Sequence, residues 1–346
     1  MMVLNFDRPT IVEIAKSYFN NNEIADIFFR QIVPNCRLQL NDEEFTKSLN
    51  LPNPLLGDLT RPPDPLNVFF HKGDLAFGKF FQKITQQTTE IIKNWNTVYF
   101  RWEEINSEFE FDSEKINLDG RNWENSLTLL TFKDNYALDK TLLIGINNNT
   151  TSKISGFNDL PQRFPPAVDI IYIDRFAIEH RDKPLLLKSN FVRYVNRQTQ
   201  NTTETINIIV FCGIPAKRQN EPYISPEEAQ IQLHTTLEQL LTESLNVEFK
   251  LLVILDKRLD TESRISHDRF ILSNYYHVKL GDTFSFFYND ELDRRAGVSE
   301  IQFRSHLKGD WFDIRSSMID WIQEKINRNV DLTYIGEKVS RLLKFQ

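Results

Sequence analysis

Cysteine is almost missing from this chain: Cys36 and Cys212 are the only two in 346 residues, and nothing gives them zinc-ligand spacing. A disulfide framework and a Cys-based metal site are both excluded, and a reducing cytoplasm is the expected location. Glycine is scarce as well, at 11 against 27 phenylalanines. No Gly-rich phosphate loop, dinucleotide fingerprint or Gly-x-Ser-x-Gly elbow occurs, so neither a nucleotide cofactor nor a metal is expected. No apolar run approaches the length of a membrane span. The first residues, Met1 to Asp7, lack a basic stretch followed by an apolar core, so no secretory signal is expected. A basic surplus is also lacking. The net charge is -7, with 15 basic and 21 acidic side chains in residues 1–150 and 26 and 27 in the rest. General binding to nucleic acid would need the opposite balance, although a local basic face is compatible with it.

What is present is apolar patterning in two different styles. In the first half, residues 10–20 and 23–32 read as amphipathic helices, and the Pro-rich stretch 51–66 reads as a surface loop. Residues 74–95 carry an aromatic stripe from Leu75 to Trp95 at helical steps. Residues 98–102 and 108–112 alternate in twos and predict a hairpin, whose wet face holds Glu103, Glu104, Glu108, Glu110, Asp112 and Glu114. Such a face is solvated or docks a basic partner. Leu142–Ile146 reads as a strand, and the Asn-, Thr- and Pro-rich stretch 147–166 reads as a linker. The boundary falls near 155, which predicts an α+β domain over 1–155 with an acidic surface and an α/β domain over 156–346.

Past the linker the apolar runs become compact. Residues 168–174, 206–212 and 247–256 read as strands buried on both faces. Ser225-Pro226-Glu227-Glu228 opens a helix by capping-box chemistry, with Ile231, Leu233, Leu237, Leu240 and Leu241 expected inward. A last amphipathic helix spans about 313–327, with Ile314, Met318, Trp321, Ile322 and Ile326 inward. Between Arg163 and Arg197, seven basic residues against four acidic ones are interleaved with Tyr172, Phe176, Phe191 and Tyr194. That mixture suits either the polar side of a sheet layer or a single-stranded nucleic-acid surface.

One short stretch carries a possible chemistry. Residues 267–281 place His267, Arg269, Asn274 and Gly281 at fixed intervals, with the apolar Phe270, Ile271 and Leu272 between Arg269 and Asn274. This frame resembles the phospholipase D superfamily motif, His-x-Lys-x4-Asp-x6-Gly-Ser, with Arg269 for Lys, Asn274 for Asp and Asp282 for Ser. Asp174-Arg175-Phe176 falls where degenerate members have an Asp-Pro-Tyr-like corner. The resemblance implies a phospholipase D-like C-terminal domain with a central mixed sheet.

It also implies roles. In catalytic members a histidine attacks phosphorus, the lysines neutralise phosphate and each Asp orients an imidazole. His267 could serve as the nucleophile, and Arg269 could hold an anion by a bidentate fork. Asn274 cannot supply the orienting charge, whose loss costs about four orders of magnitude in a serine-protease triad. His306-Leu307-Lys308 followed by Asp313 matches a second motif by letter only, because Gly309–Phe312 is not an apolar strand. A complete catalytic site would then need two copies of the chain.

The plainest reading of 267–274 is a structural strand whose His267 and Arg269 bond to backbone and to an internal carboxylate such as Asp174 or Asp282. Beside it, two functions follow from the resemblance. The first is a non-catalytic subunit that binds an anion, nucleic acid or a partner protein within a prokaryotic multi-component system, of the kind found in antiviral-defence and mobile-element operons. Its anion site would comprise His267, Arg269, Asn274 and Arg175, supported by Asp174, Asp268 and Asp282. The second is a metal-independent phosphodiesterase or nuclease acting as a homodimer through His267. Limited proteolysis tests the domain reading: the first cuts should fall within 147–166 or 51–66 and leave a stable fragment of about 190 residues. Early cutting inside 206–284 contradicts a packed sheet there.

Overall fold

The computed structural model describes residues 3–33, 37–41, 97–102, 109–112, 115–130, 139–144, 167–178, 184–199, 202, 205–214, 224–259, 269–280, 287–288, 291–292, 299–306 and 309–345. The expected helix over 74–95, the Pro-rich loop, the linker and Glu103, Glu104, Glu108 and Glu114 lie outside them. The described chain is mixed α/β, with six α-helices and a large mixed sheet, and it divides into two compact units. Unit 1 comprises Met1–Leu138 and His306–Asp313; unit 2 comprises Asp139–Ser305 and Ile314–Gln346. The second unit therefore begins upstream of the expected boundary near 155.

In unit 1, strand β1 (Val3–Asp7) leads directly into helix α1 (Arg8–Phe19). Asp7 makes the transition, because its Oδ1 accepts the Thr10 amide at 3.2 Å and the Thr10 hydroxyl at 2.6 Å as an N-cap. Its other oxygen accepts the Trp102 amide. Helix α2 (Glu23–Ile27) and a π-helical turn (Phe28–Ile32) follow, then β2 (Arg37–Asn41), β3 (Thr97–Arg101), β4 (Phe109–Asp112), β5 (Lys115–Asp119) and α3 (Trp123–Leu130). The sheet order is β2-β1-β3-β5-β4. The hairpin expected from β3 and β4 is not formed. Strand β5 lies between them, parallel to β3 and antiparallel to β4. Phe6 fills the core, stacked on Phe100 at 4.7 Å and edge-on to Phe28 at 5.7 Å. Gly120 is obligatory here, since a Cβ would come within 2.0 Å of the Thr10 hydroxyl.

Unit 2 is built on β6 (Asp139–Ile144), β7 (Asp169–Ile173), α4 (Pro184–Thr199), β8 (Ile206–Gly213), α5 (Pro226–Ser244), β9 (Phe249–Asp256), β10 (Arg269–Ser273), β11 (Tyr276–Leu280), a ribbon of β12 (Phe287–Tyr288) and β13 (Glu291–Leu292), β14 (Ser299–Ser305), helix α6 (Gly309–Arg328) from Ile314 onward, and β15 (Leu332–Gly336). The eight-stranded order is β15-β9-β8-β7-β10-β11-β14-β6. Strands β7, β8 and β9 run parallel, joined through α4 and α5, whereas β10, β11, β14, β6 and β15 pair antiparallel with their neighbours. β7 and β8 are buried along their whole length, as strands with both faces covered must be.

Helix α5 starts as its sequence requires. The Ser225 hydroxyl accepts the Glu228 amide at 3.2 Å, and Glu228 accepts the Ser225 amide at 3.0 Å. Leu233, Leu237 and Leu241 are buried, but Ile231 is 52% exposed and Leu240 is half-buried, because Ala229 and Gln230 occupy the inner face instead. Helix α6 buries Met318, Ile322 and Ile326, leaves Trp321 half-buried and leaves Ile314 exposed.

The α6 side of the sheet holds an unusual cationic cluster. His277 is 3% exposed, and its pKa is depressed to about 3, first by burial and then by Arg304 and Arg315. Burial also lowers Arg315 to about 9, against the pull of Asp169, Asp320 and Tyr275. His277 is thus neutral when folded but titrates near pH 6.5 when unfolded. Its contribution to stability is complete above pH 6.5 and declines as pH falls toward 3, at up to about 1.4 kcal/mol per pH unit. His277→Gln should flatten the acid limb of urea unfolding midpoints between pH 6 and 4. An unchanged pH slope would mean that the imidazole is not held neutral.

Candidate functional site

Parallel strands present their carboxyl ends along one edge, where open α/β sheets bind ligands. Here β7 ends beside Asp174, β8 at Gly213 and β9 at Asp256. Strand β10 runs the other way. Its register, Phe270 against Ile173, delivers Arg269 to Asp174 at the same edge.

Asp174 is fully buried. Its Oδ2 accepts the Tyr172 hydroxyl at 2.6 Å, and its Oδ1 accepts the Phe176 amide at 2.8 Å, which tightens the turn leaving β7. The Arg269 Nε lies 3.6 Å from Oδ1, an ion pair of which the arginine side chain is only 14% exposed. Phe176 then carries two guanidiniums: Arg175 at 4.1 Å and Arg269 at 4.8 Å from its ring centre. Around this corner the described residues supply two guanidiniums and one carboxylate.

The α6 side of the same edge holds a second ion pair. Asp256 accepts the Arg258 amide at 2.8 Å and meets Lys325 at 2.7 Å, and Lys325 lies 5.0 Å from the Trp321 ring centre. Between the two pairs sits Cys212, wholly buried, its Sγ 3.4 Å from the Ile254 carbonyl. Burial pushes its thiol far up, and the charges of Asp174 and Asp256 add to the effect. A thiol so held is protonated and inert.

Asn274 lies at the other end of β10. It is 1% exposed, in the turn between β10 and β11, and its Oδ1 accepts the amides of Val168 at 3.2 Å and Asp169 at 3.1 Å. Four residues lie between it and Arg269, and the five steps along extended chain span about 16 Å. The expected grouping of Arg269 with Asn274 is therefore not brought together: one closes the carboxyl edge and the other caps the amino end of β7. His267, Asp268 and Asp282 lie outside the described residues. Arg175, Asp174 and Arg269 do meet.

The letter match at 306–313 forms no such frame. His306 is buried against Phe312 at 6.1 Å between ring centres, Lys308 is outside the described residues, and Asp313 is exposed on α6. The nucleic-acid alternative for 163–197 also loses its stacking platform. Tyr172, Phe191 and Tyr194 are buried, with Tyr172 stacked on Phe191 at 4.8 Å. Sequence reasoning missed the helix responsible, α4, although Pro184 at its start and the helical spacing of Phe191, Val192, Tyr194 and Val195 announce it.

Among the described residues, no group of three or more His, Cys, Asp or Glu could hold a metal ion. No helix among them is long and apolar enough to cross a membrane. No protein-family model matches the chain, and no curated protein is similar to it in sequence.

The buried pair should behave as one unit. Arg269→Ala is expected to lower unfolding free energy by roughly 3 kcal/mol, in the range for breaking a buried ion pair. Asp174→Asn with Arg269→Ala should cost less than the two single changes summed. Urea unfolding measures both, and strict additivity would show that the two groups do not depend on each other.

Proposed function

We propose that this protein is a non-catalytic anion-binding subunit, and that the anion is a phosphate group of nucleic acid handled by a multi-component prokaryotic system. The single observation that carries the reading is the Arg175–Phe176–Arg269 corner, where two guanidiniums share one ring beside one buried carboxylate. Guanidinium planes suit phosphate because two parallel donors match two oxygens. Asp174 fixes Arg269 in place, so less rotamer freedom remains to be lost on binding. The phospholipase D-like ancestry and the multi-component setting rest on the resemblance of the 267–282 frame alone.

Asn274 favours binding over turnover. Its carbonyl is committed to two backbone amides at the far end of β10, so it is not placed to orient an imidazole beside Arg269. The competing reading is a phosphodiesterase that uses His267 in a homodimer.

Thermal unfolding with phosphate, sulfate and short single-stranded oligonucleotides distinguishes them. The wild-type melting temperature should rise with ligand by mass action, and more with oligonucleotide than with free phosphate. Arg175→Ala should abolish the rise, while the loss of its contact with Phe176 lowers the unliganded melting temperature only slightly. A wild type indifferent to all three probes overturns the proposal. Metal-independent cleavage that His267→Ala abolishes in a folded protein replaces it with the enzyme.

A further inference from the structure

The chain leaves the sheet at Gly336, whose φ of +107° is a conformation that side chains rarely adopt and whose Cβ would come within 2.0 Å of the Leu251 carbonyl oxygen. The Glu337 amide still donates to that carbonyl at 3.1 Å, and Lys250 pairs with Glu337 at 3.4 Å. Lys338 and Val339 are then exposed, with Val339 40% accessible. Beyond them the segment turns inward again and buries Leu342 and Leu343. It passes along the amino ends of the parallel strands, where Arg341 Nη1 donates to the Thr205 carbonyl at 3.5 Å.

What holds this returning segment is unusually concentrated. Three donors, the Ser340 hydroxyl at 2.6 Å and the amides of Arg341 at 2.5 Å and Leu342 at 2.9 Å, converge on a single oxygen, Asp169 Oδ2. Oδ1 accepts the Asn207 side chain at 2.6 Å, which ties the anchor to β8. The Ser340 hydroxyl also accepts the amides of Leu342 and Leu343, folding the segment into a compact turn around the carboxylate. Gln323 of α6 supplies the second attachment, accepting the Lys344 amide at 2.7 Å and donating to its carbonyl at 2.8 Å.

We infer that residues 338–345 form a strap that opens as one unit, pivoting at the exposed Lys338–Val339 and locked by the Asp169 carboxylate. The reason is the distribution of the contacts. Hydrogen bonds to a charged group are worth more than neutral ones, and here three of them depend on one atom. Losing that atom releases the turn and both leucines together, whereas β7 and β8 keep their ladder bonds. Opening uncovers the seat of Leu342 and Leu343 at the amino edge, on the opposite side of the sheet edge-to-edge from the Arg175–Arg269 corner.

Native-state hydrogen exchange on the full chain tests this. In the wild type, the amides of Arg341, Leu342 and Leu343 should exchange together, and faster than those of the β8 interior. Asp169→Asn should accelerate those three on the order of a hundredfold while β8 and β9 stay protected. Ser340→Ala and Gln323→Ala leave the buried acid intact and serve if Asp169→Asn does not fold. Each should accelerate the strap amides selectively. Strap amides that exchange only at the rate of the β8 interior, or variants that speed exchange uniformly across the sheet, overturn the inference.

Discussion

Strand β7 carries a buried aspartate at each end, and the arrangement of unit 2 depends on how those two charges are satisfied. A carboxylate withdrawn from water is costly unless hydrogen bonds or a counter-charge replace its hydration. Asp169 and Asp174 solve this differently. At the amino end Asp169 collects side-chain and backbone donors from β8 and the C-terminal segment. Burial still pushes its carboxyl above the ordinary range, with those donors pulling the other way. At the carboxyl end Asp174 takes a phenol, a backbone amide and the Arg269 guanidinium. The strand between them is wholly apolar, apart from the Tyr172 hydroxyl that serves Asp174.

Because β7 is central, each aspartate ties other elements to it. Asp169 draws in the chain's last described residues, although they lie more than 170 positions away in sequence. Asp174 fixes the start of β10, and Asn274 at the end of the same strand caps the amino end of β7. The pairing of β7 with β10 is thus pinned at both ends by polar contacts and in the middle by ladder bonds. Such pinning sets the register, since a slip by one residue would send Arg269 to the opposite face.

The parts of this fold legible in the sequence are those where local chemistry and tertiary packing agree. The runs at 206–212 and 249–256 are apolar because both faces of their strands are covered. The capping box at Ser225 and Glu228 is a local device that needs no distant partner. Strand pairing was less legible, because alternation reveals a wet face but not the neighbour. β3 and β4 read as a hairpin, yet β5 takes the place between them. β6 reads as the end of the first domain but pairs with β14, some 160 positions later. Helix α4 is less legible because its basic residues alternate with aromatics in a way that also fits a polar sheet layer. Their helical spacing puts Phe191 and Tyr194 inside and leaves Arg193 half-buried.

The motif frame shows why spacing alone is a weak guide to a site. Residues five apart on a regular strand differ in both face and position along the sheet. Arg269 and Asn274 can share a ligand only if the strand ends between them and the chain folds back. Here it does not: Arg269–Ser273 is continuous strand, and Asn274 begins the turn into β11. The Ser-Asn pair between two apolar runs is itself a turn signal, and it competes with the motif reading of the same letters. Asp174 is the residue that meets Arg269, and it is 95 positions away, so only the pairing of β7 with β10 brings the two together. The corner at Phe176 is therefore a product of sheet topology, with the charges supplied by one strand's end and its neighbour's beginning.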